Sequence, residues 1–135
     1  MSGMLAVIDT NVLVSASINR EGVPSQLVAK IRTLELTPVV SAAILDEYAD
    51  VLRRPRFNFP QDWVDDLLAD MEALALHVRP ATIATANLPD PDDAPFIATA
   101  LAAGCPIVTG NARHFPADCG VEILNPAQWL SRLIG

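Results

Sequence analysis

The stretch PDPDDAPFIATALAAGCPIVTGN, residues 89–111, reads as a helix that stops at a glycine and hands over to a buried strand. Apolar residues at Phe96, Ile97, Ala100 and Leu101 fall on one helical face, which predicts a helix from Asp92 or Asp93 to Ala103. Gly104 ends it, since glycine takes the left-handed conformation that closes helices. Pro95 is tolerated because it sits in the first turn, where its missing N–H has no partner to lose. PIVT is then a short apolar strand. The stretch also opens with Asp90, Asp92 and Asp93, and close carboxylates repel unless a positive charge sits among them. A solvent-facing helix cap and a divalent-metal site are the two readings of that cluster.

The same alternation extends outward in both directions. MLAVI (4–8) is a buried strand ending at Asp9, NVLVSASI is helical, and REGVP interrupts it. Pro24 opens a second helix through SQLVAKIR. LTPVV (36–40) is a second strand, and Ser41 is an N-cap for a helix through AAILDEYADVLRR. PRFNFP breaks the chain before QDWVDDLLADMEAL resumes as an amphipathic helix. ALHV is the third strand, followed by a loop through Pro89. VEIL is the fifth strand and PAQWLSRLI a closing helix. Short two-sided apolar strands alternating with helices predict an α/β fold, a three-layer α/β/α sandwich around a parallel sheet of four to five strands. In such sheets ligands bind outside the carboxyl ends of the strands.

Composition bounds the function. The 135 residues are expected to form a single domain, 1–135, with Met1 to Gly3 a leader or cloning remnant before a start at Met4. No apolar run approaches the ~18 residues of a membrane span, and the N-terminus lacks the basic region and cleavage site of a signal peptide. Cys105 and Cys119 have no CxxC spacing and read as reduced thiols, so a cytoplasmic protein is expected. Nine Lys and Arg stand against sixteen Asp and Glu, a net charge of −7 with Lys30 the only lysine. Such a balance argues by itself against a polyanionic partner, which usually leaves a basic footprint.

Three acids point inward on the predicted elements. Asp9 directly follows the first strand, either in the crevice or as a structural turn capping the next helix. Ile44, Tyr48, Val51 and Leu52 make an apolar stripe, and Glu47 falls roughly 40° from Val51 at its edge. Asp46 and Asp50 project away, and Glu47 is either functional or a snorkelling charge. Asp93 lies within the Phe96–Ile97–Ala100–Leu101 face, while Asp92 projects about 100° away and reads as the N-cap. A helix dipole adds only about 0.3–1 kcal/mol to a carboxylate, less than the cost of burying an unpaired charge. Lys30, Arg53, Arg54, Arg56 and Arg113 are the available cations, and one salt bridge does not serve three acids. A hard cation with oxygen ligands does, and Mg²⁺ uses few carboxylates and keeps several waters. Zn²⁺ is disfavoured, because His77 and His114 are isolated and belong to no metal-ligand pattern. On the amphipathic helix, Asp62, Asp65, Asp66, Asp70 and Glu72 form the solvated side, while Trp63, Leu67, Leu68 and Met71 form the buried side. Trp129 and Leu130 are expected to pack the closing helix.

VIDTNVLVSA, VVSAAILDEYADVL and DPDDAPFIATALAAGCPIVTGNARHF, in that order, resemble the PIN-domain family over essentially the whole chain. The likeness is greatest to the VapC-type toxin ribonucleases of type II toxin–antitoxin pairs. It implies a metal-dependent ribonuclease on a Rossmann-like sheet, often dimeric and silenced by a cognate antitoxin. Carried over, the family's acids fall on Asp9, Glu47 and Asp93, as metal ligands and catalytic residues. Asn11 matches a position that supports the first acid. The fourth acidic position holds Asn111, and the place three residues later, where some toxins carry an aspartate, holds His114. The departure removes a charge and leaves one or two metals open, with Asp90 or Asp92 as further ligands.

The expected reaction is hydrolysis of RNA phosphodiesters with Mg²⁺, Mn²⁺ substituting, where two metals would assist the attacking and leaving oxygens. Thr109, Asn111 and Arg113 are candidate substrate contacts. A bound cation would offset part of the acidity. A −7 chain also suits an antitoxin with a basic tail, and dimerisation would gather arginines. A receiver domain would need a lysine at a late strand end, and a dehalogenase-like phosphatase a DxD after the first strand; VTGNAR and DTN supply neither. A PIN fold with a decayed, non-catalytic site is the remaining alternative.

Overall fold

The computed structural model describes residues 4–83 and 90–134; the expected leader at 1–3 and the loop segment entering Pro89 fall outside the described residues. Five strands form one sheet: β1 (Met4–Ile8), β2 (Leu36–Val40), β3 (Leu76–His77), β4 (Ile107–Val108) and β5 (Ile123–Leu124). Their order is β3-β2-β1-β4-β5, and every pairing is parallel. Six helices flank the sheet: α1 (Thr10–Ile18), α2 (Val23–Arg32), α3 (Ala42–Leu52), α4 (Gln61–Ala73), α5 (Ala94–Ala103) and α6 (Pro126–Ile134). This is the three-layer α/β/α arrangement. Among the described residues no helix is long and apolar enough to cross a membrane.

The central strands are buried on both faces, as continuous apolar runs require. Ala6, Val7, Ile8, Val39, Val40, Ile107 and Val108 are all fully enclosed. The edge strands β3 and β5 have only two residues each, and short edges leave little backbone for another chain to pair with. Pro38 lies inside β2, yet β3 pairs only with Val39 and Val40 beyond it, so the proline leaves that ladder intact. Tyr48, Trp129, Phe96 and Met71 are the bulky side chains that fill the core. Trp129 packs α6 as expected, with Leu130 partly buried beside it.

The structure corrects four local expectations. Ser41 stands at the N-cap of α3, but its side chain caps nothing; its buried oxygen instead accepts from the Thr99 hydroxyl at 3.1 Å. Asp92 is not the side-chain cap of the α5 entry. Pro91–Asp93 form a 3-10 turn, and Asp90 caps it by accepting from the Asp92 amide at 2.9 Å. Leu101 is 38% exposed rather than core, because α5 buries Phe96 through Ala100 almost continuously and rolls Leu101 outward. Asp70 is half-buried, drawn in by its 2.8 Å ion pair with Arg32.

Candidate active site

The sheet order reverses between β1 and β4, one strand being followed outward to β2 and the other to β5. At such a switch point the segments leaving two adjacent carboxyl ends part and open a crevice. Asp9 and Thr109 are the first residues past those two ends. The Asp9 amide donates to the Val108 carbonyl at 2.9 Å, so the sheet ladder itself fixes the backbone of the acid.

Thr109 is fully buried and its hydroxyl is a junction. It donates to Asp9 Oδ2 at 2.7 Å and accepts from Asn11 Nδ2 at 3.3 Å and from the Asn111 amide at 3.0 Å. Asn11 Oδ1 also accepts from the Gly110 amide at 3.1 Å. Asn11 is thus joined to Asp9 indirectly, through Thr109 and the turn after β4. Thr109 itself cannot touch substrate, which corrects that expectation: an enclosed hydroxyl positions a carboxylate and meets no phosphate. Asp9 is also the N-cap residue of α1, where its carbonyl accepts from the Val12 amide at 3.0 Å while its carboxylate makes no side-chain cap bond, so the residue serves the turn through its backbone and leaves the carboxylate to Thr109.

Glu47 is placed by helix α3, whose Ile44, Tyr48 and Leu52 face the core while Asp46 and Asp50 stay exposed. Its Oε2 accepts from the buried Thr10 hydroxyl at 2.5 Å. The next residue, Tyr48, is fully enclosed and donates to the Ile8 carbonyl at 2.5 Å, tying α3 to the end of β1. Asp93 sits where the 3-10 turn enters α5, with its amide donating to the Asp90 carbonyl at 3.1 Å. Its Oδ2 is buried and has no hydrogen-bond partner.

The three acids share one electrostatic field. Burial raises the pKa of Asp9, opposed by the Thr109 hydroxyl, the Thr10 backbone and His114, and assisted by Asp90. Burial also raises Glu47, with the Thr10 hydroxyl opposing and the Asp9 and Asp92 charges adding to the shift. Asp93 is pushed up to about 6 by burial and by the charges of Asp90, Asp9 and Glu47, with His114 opposing. Among the described residues none of the three is held in a salt bridge. The arginines of the α3–α4 connection pair elsewhere, Arg53 with Asp65 at 2.7 Å and Arg54 with Asp50 at 3.1 Å.

An oxygen donor set, an orphaned buried carboxylate oxygen and mutual repulsion without a cation are the chemistry of a hard divalent ion. Among the described residues, though, no three His, Cys, Asp or Glu side chains close to joint coordinating distance. The donor types fit such an ion, while the distances between them do not by themselves make a closed coordination site.

Sequence reasoning missed Thr10, and gave Tyr48 and His114 no part in orienting or opposing the charge of the acids. Thr10 stands inside DTN, and a hydroxyl at the first position of an apolar helix was its signal. Tyr48 adjoins Glu47 on the apolar stripe. His114 lies in the 3-10 turn Ala112–His114 after β4, and its charge reaches both Asp9 and Asp93. Asn111 precedes that turn and Arg113 lies within it, both with exposed side chains, so both remain open to a ligand. His77 is in β3, exposed, and bonded to the Glu72 carbonyl at 2.8 Å, remote in role from the acids. Lys30 pairs with Glu35 at 3.4 Å, before β2 begins.

A family model described as PIN domain matches residues 6–113, from β1 to the turn after β4. No curated protein matches the chain.

Proposed function

The chain belongs to the PIN-domain family, whose members are generally nucleases, and from that premise we propose that it is a divalent-metal-dependent endoribonuclease. The observation that supports this is that Asp9, Glu47 and Asp93 lie at or near the switch point within reach of one another's charge, short of joint coordinating distance, and unpaired by any described cation. These three acids would hold Mg²⁺ or Mn²⁺, one ion or two, with Asn111, Asp90 or Asp92 as further oxygen donors. The bound ion supplies Lewis-acid stabilisation of phosphoryl charge and lowers the pKa of water. Thr109 keeps the Asp9 carboxylate in one orientation, and Thr10 does the same for Glu47. Arg113, exposed on the turn after β4, is the side chain free to pair with a substrate phosphate.

The test is cleavage of an end-labelled RNA with Mg²⁺ or Mn²⁺ against the same reaction in chelator. Asp9→Asn and Asp93→Asn are expected to abolish cleavage while retaining the far-UV dichroism of the parent. Full activity in either purified variant overturns the assignment. Two observations favour a second reading, a decayed and non-catalytic PIN site: Asn111 at the fourth position, and side chains that do not close together. Calorimetric titration with Mn²⁺ separates the two, since a decayed site takes up no ion.

The finer biological reading is a cytoplasmic toxin of a toxin–antitoxin pair. A chain of net charge −7 complements an antitoxin with a basic tail, and the free thiols of Cys105 and Cys119 accord with a reducing compartment. A small upstream gene encoding a DNA-binding N-terminus and a basic tail would support it. Light scattering on the purified chain tests the homodimer.

A further inference from the structure

The segment VLRRPRFNFPQ, residues 51–61, carries Arg53, Arg54 and Arg56, two phenylalanines and no acid, in a chain whose acids outnumber its cations sixteen to nine. It joins the C-terminal end of α3 to α4. Two tight turns hold it: the Phe57 amide donates to the Arg54 carbonyl and the Asn58 amide to the Pro55 carbonyl, each at 3.1 Å. Asn58 completes the reversal at φ +49°, a left-handed conformation that asparagine tolerates better than most residues. The reversal lays the Phe57 and Phe59 rings parallel, with centroids 5.1 Å apart and planes 4° from coplanar.

The two rings have different duties. Phe59 packs against the core, whereas Phe57 is half-buried and absent from that packing. The Arg56 guanidinium lies over the Phe57 ring, 4.8 Å from its centroid. Arg56 is exposed and makes no salt bridge among the described residues. Arg53 and Arg54 do make salt bridges, but both pairs are solvent-exposed, and such pairs contribute little and exchange readily for a phosphate. Beside the rings a cleft of about 240 Å³ has the enclosed side chains of Leu52 and Val64 for a floor, Phe59 for a wall, and Arg53, Arg54 and Asn58 for a rim. Apolar floor, aromatic platform and guanidinium rim are what a single strand needs, bases stacking while its phosphates meet cations.

The geometry points to the α3–α4 connection, Arg53 to Phe59, as a subsite for single-stranded RNA, with the exposed Arg56 guanidinium, backed by the Phe57 ring, as the stacking platform and Arg53 and Arg54 as phosphate contacts. This rests on the ribonuclease reading above. Arg54 stands two residues past the end of α3, whose last residue Leu52 is five residues and about 7.5 Å along the helix from Glu47, and its charge reaches Glu47. A strand bound at the acids would therefore run down the same face of α3 onto the loop. The subsite supplies the cations that the acidic crevice lacks.

Equilibrium binding in chelator, which prevents cleavage, tests the subsite with a fluorescent oligouridine of about 12 nucleotides, within single-strand site sizes. Phe57→Ala and Arg56→Ala are each expected to weaken binding about five-fold or more, as loss of a stacked base implies. Arg54→Ala is expected to lower the salt slope by about 0.7, one single-strand phosphate. Phe57→Trp restores affinity, and its added indole emission is quenched by RNA. Neither Phe57 nor Arg56 is part of the core cluster, so both of their alanine variants retain the parent's far-UV dichroism, with the thermal midpoint lowered by a few degrees at most through the lost ring contacts. Parent-like binding by both of these variants overturns the subsite while leaving the nuclease reading intact. Equal competition by inorganic polyphosphate overturns the stacking role. A parent protein that neither binds nor cleaves RNA removes both proposals.

Discussion

At the scale of single residues, the Thr109 hydroxyl links more of the site than any acid does. It is enclosed and serves Asp9, Asn11 and the Asn111 amide at once. Thr109→Val keeps the shape and removes the junction, leaving a carboxylate oxygen, an amide side chain and a backbone N–H short of a partner. An unsatisfied buried group costs about 1–3 kcal/mol, so urea denaturation should show a loss in that range. Cleavage should fall further than stability, because Asp9 also loses the bond that opposes its raised pKa. Stability and activity both at the parent level would show that Thr109 positions nothing. The inward placement of Glu47 and Asp93 was legible in the sequence, since both sit nearer an apolar face than Asp46, Asp50 and Asp92, which are exposed. The hydroxyls that orient them were not. Thr10 and Thr109 find their partners 37 and 100 residues away, and periodicity carries no information at that range.

Elements were readable where local chemistry alone decides them. Gly104 is the clearest case: it ends α5 at φ 65°, ψ 38°, and its amide donates back to the Ala100 carbonyl. A Cβ placed there would meet nothing within 4 Å, so any penalty for Gly104→Ala is backbone strain alone. We expect Gly104→Ala to cost about 1 kcal/mol and Gly104→Asn less, asparagine being the other residue that adopts this conformation. Chemical denaturation midpoints measure both, and equal penalties would mean that something other than φ governs the position. The strands ALHV, PIVT and VEIL were placed correctly but read too long. Each contributes only two residues to the sheet, because the ladder ends where α-helical connections pull the backbone away. The caps at Ser41 and Asp92 were misassigned for a related reason. A hydroxyl or carboxylate beside a helix start has competing partners in three dimensions, here Thr99 for one and solvent for the other, with Asp90 taking over the turn.

For the molecule as a whole, the raised acids are a stability cost that the fold retains, and linkage gives its sign. Asp93 ionises near 3.8 when unfolded and at about 6 when folded. Below 3.8 it is protonated in both states and contributes nothing to pH dependence. As pH rises toward about 6 the unfolded chain ionises first, so the metal-free protein loses stability across that window and the loss is complete above it. Asp9 and Glu47, shifted the same way, add to the trend, whereas Glu35 and Glu122, held low by Thr33 and Arg132, oppose it. Comparing Asp93→Asn with the parent isolates the first contribution. In chelator the variant should match the parent at low pH and exceed it above pH 6 by about 1 kcal/mol after solvent screening, or roughly 3–4 °C. Adding Mn²⁺ at neutral pH should reverse the order. The parent gains RT ln(1 + [L]/Kd), about 2.7 kcal/mol at a hundred-fold excess over Kd, and the variant loses a ligand and gains less. Thermal melts across pH, with and without the ion, measure both effects. A difference between the two proteins that stays flat with pH would mean that the Asp93 carboxylate is not held in the field of its neighbours, and parallel melts with Mn²⁺ would mean that it holds no cation.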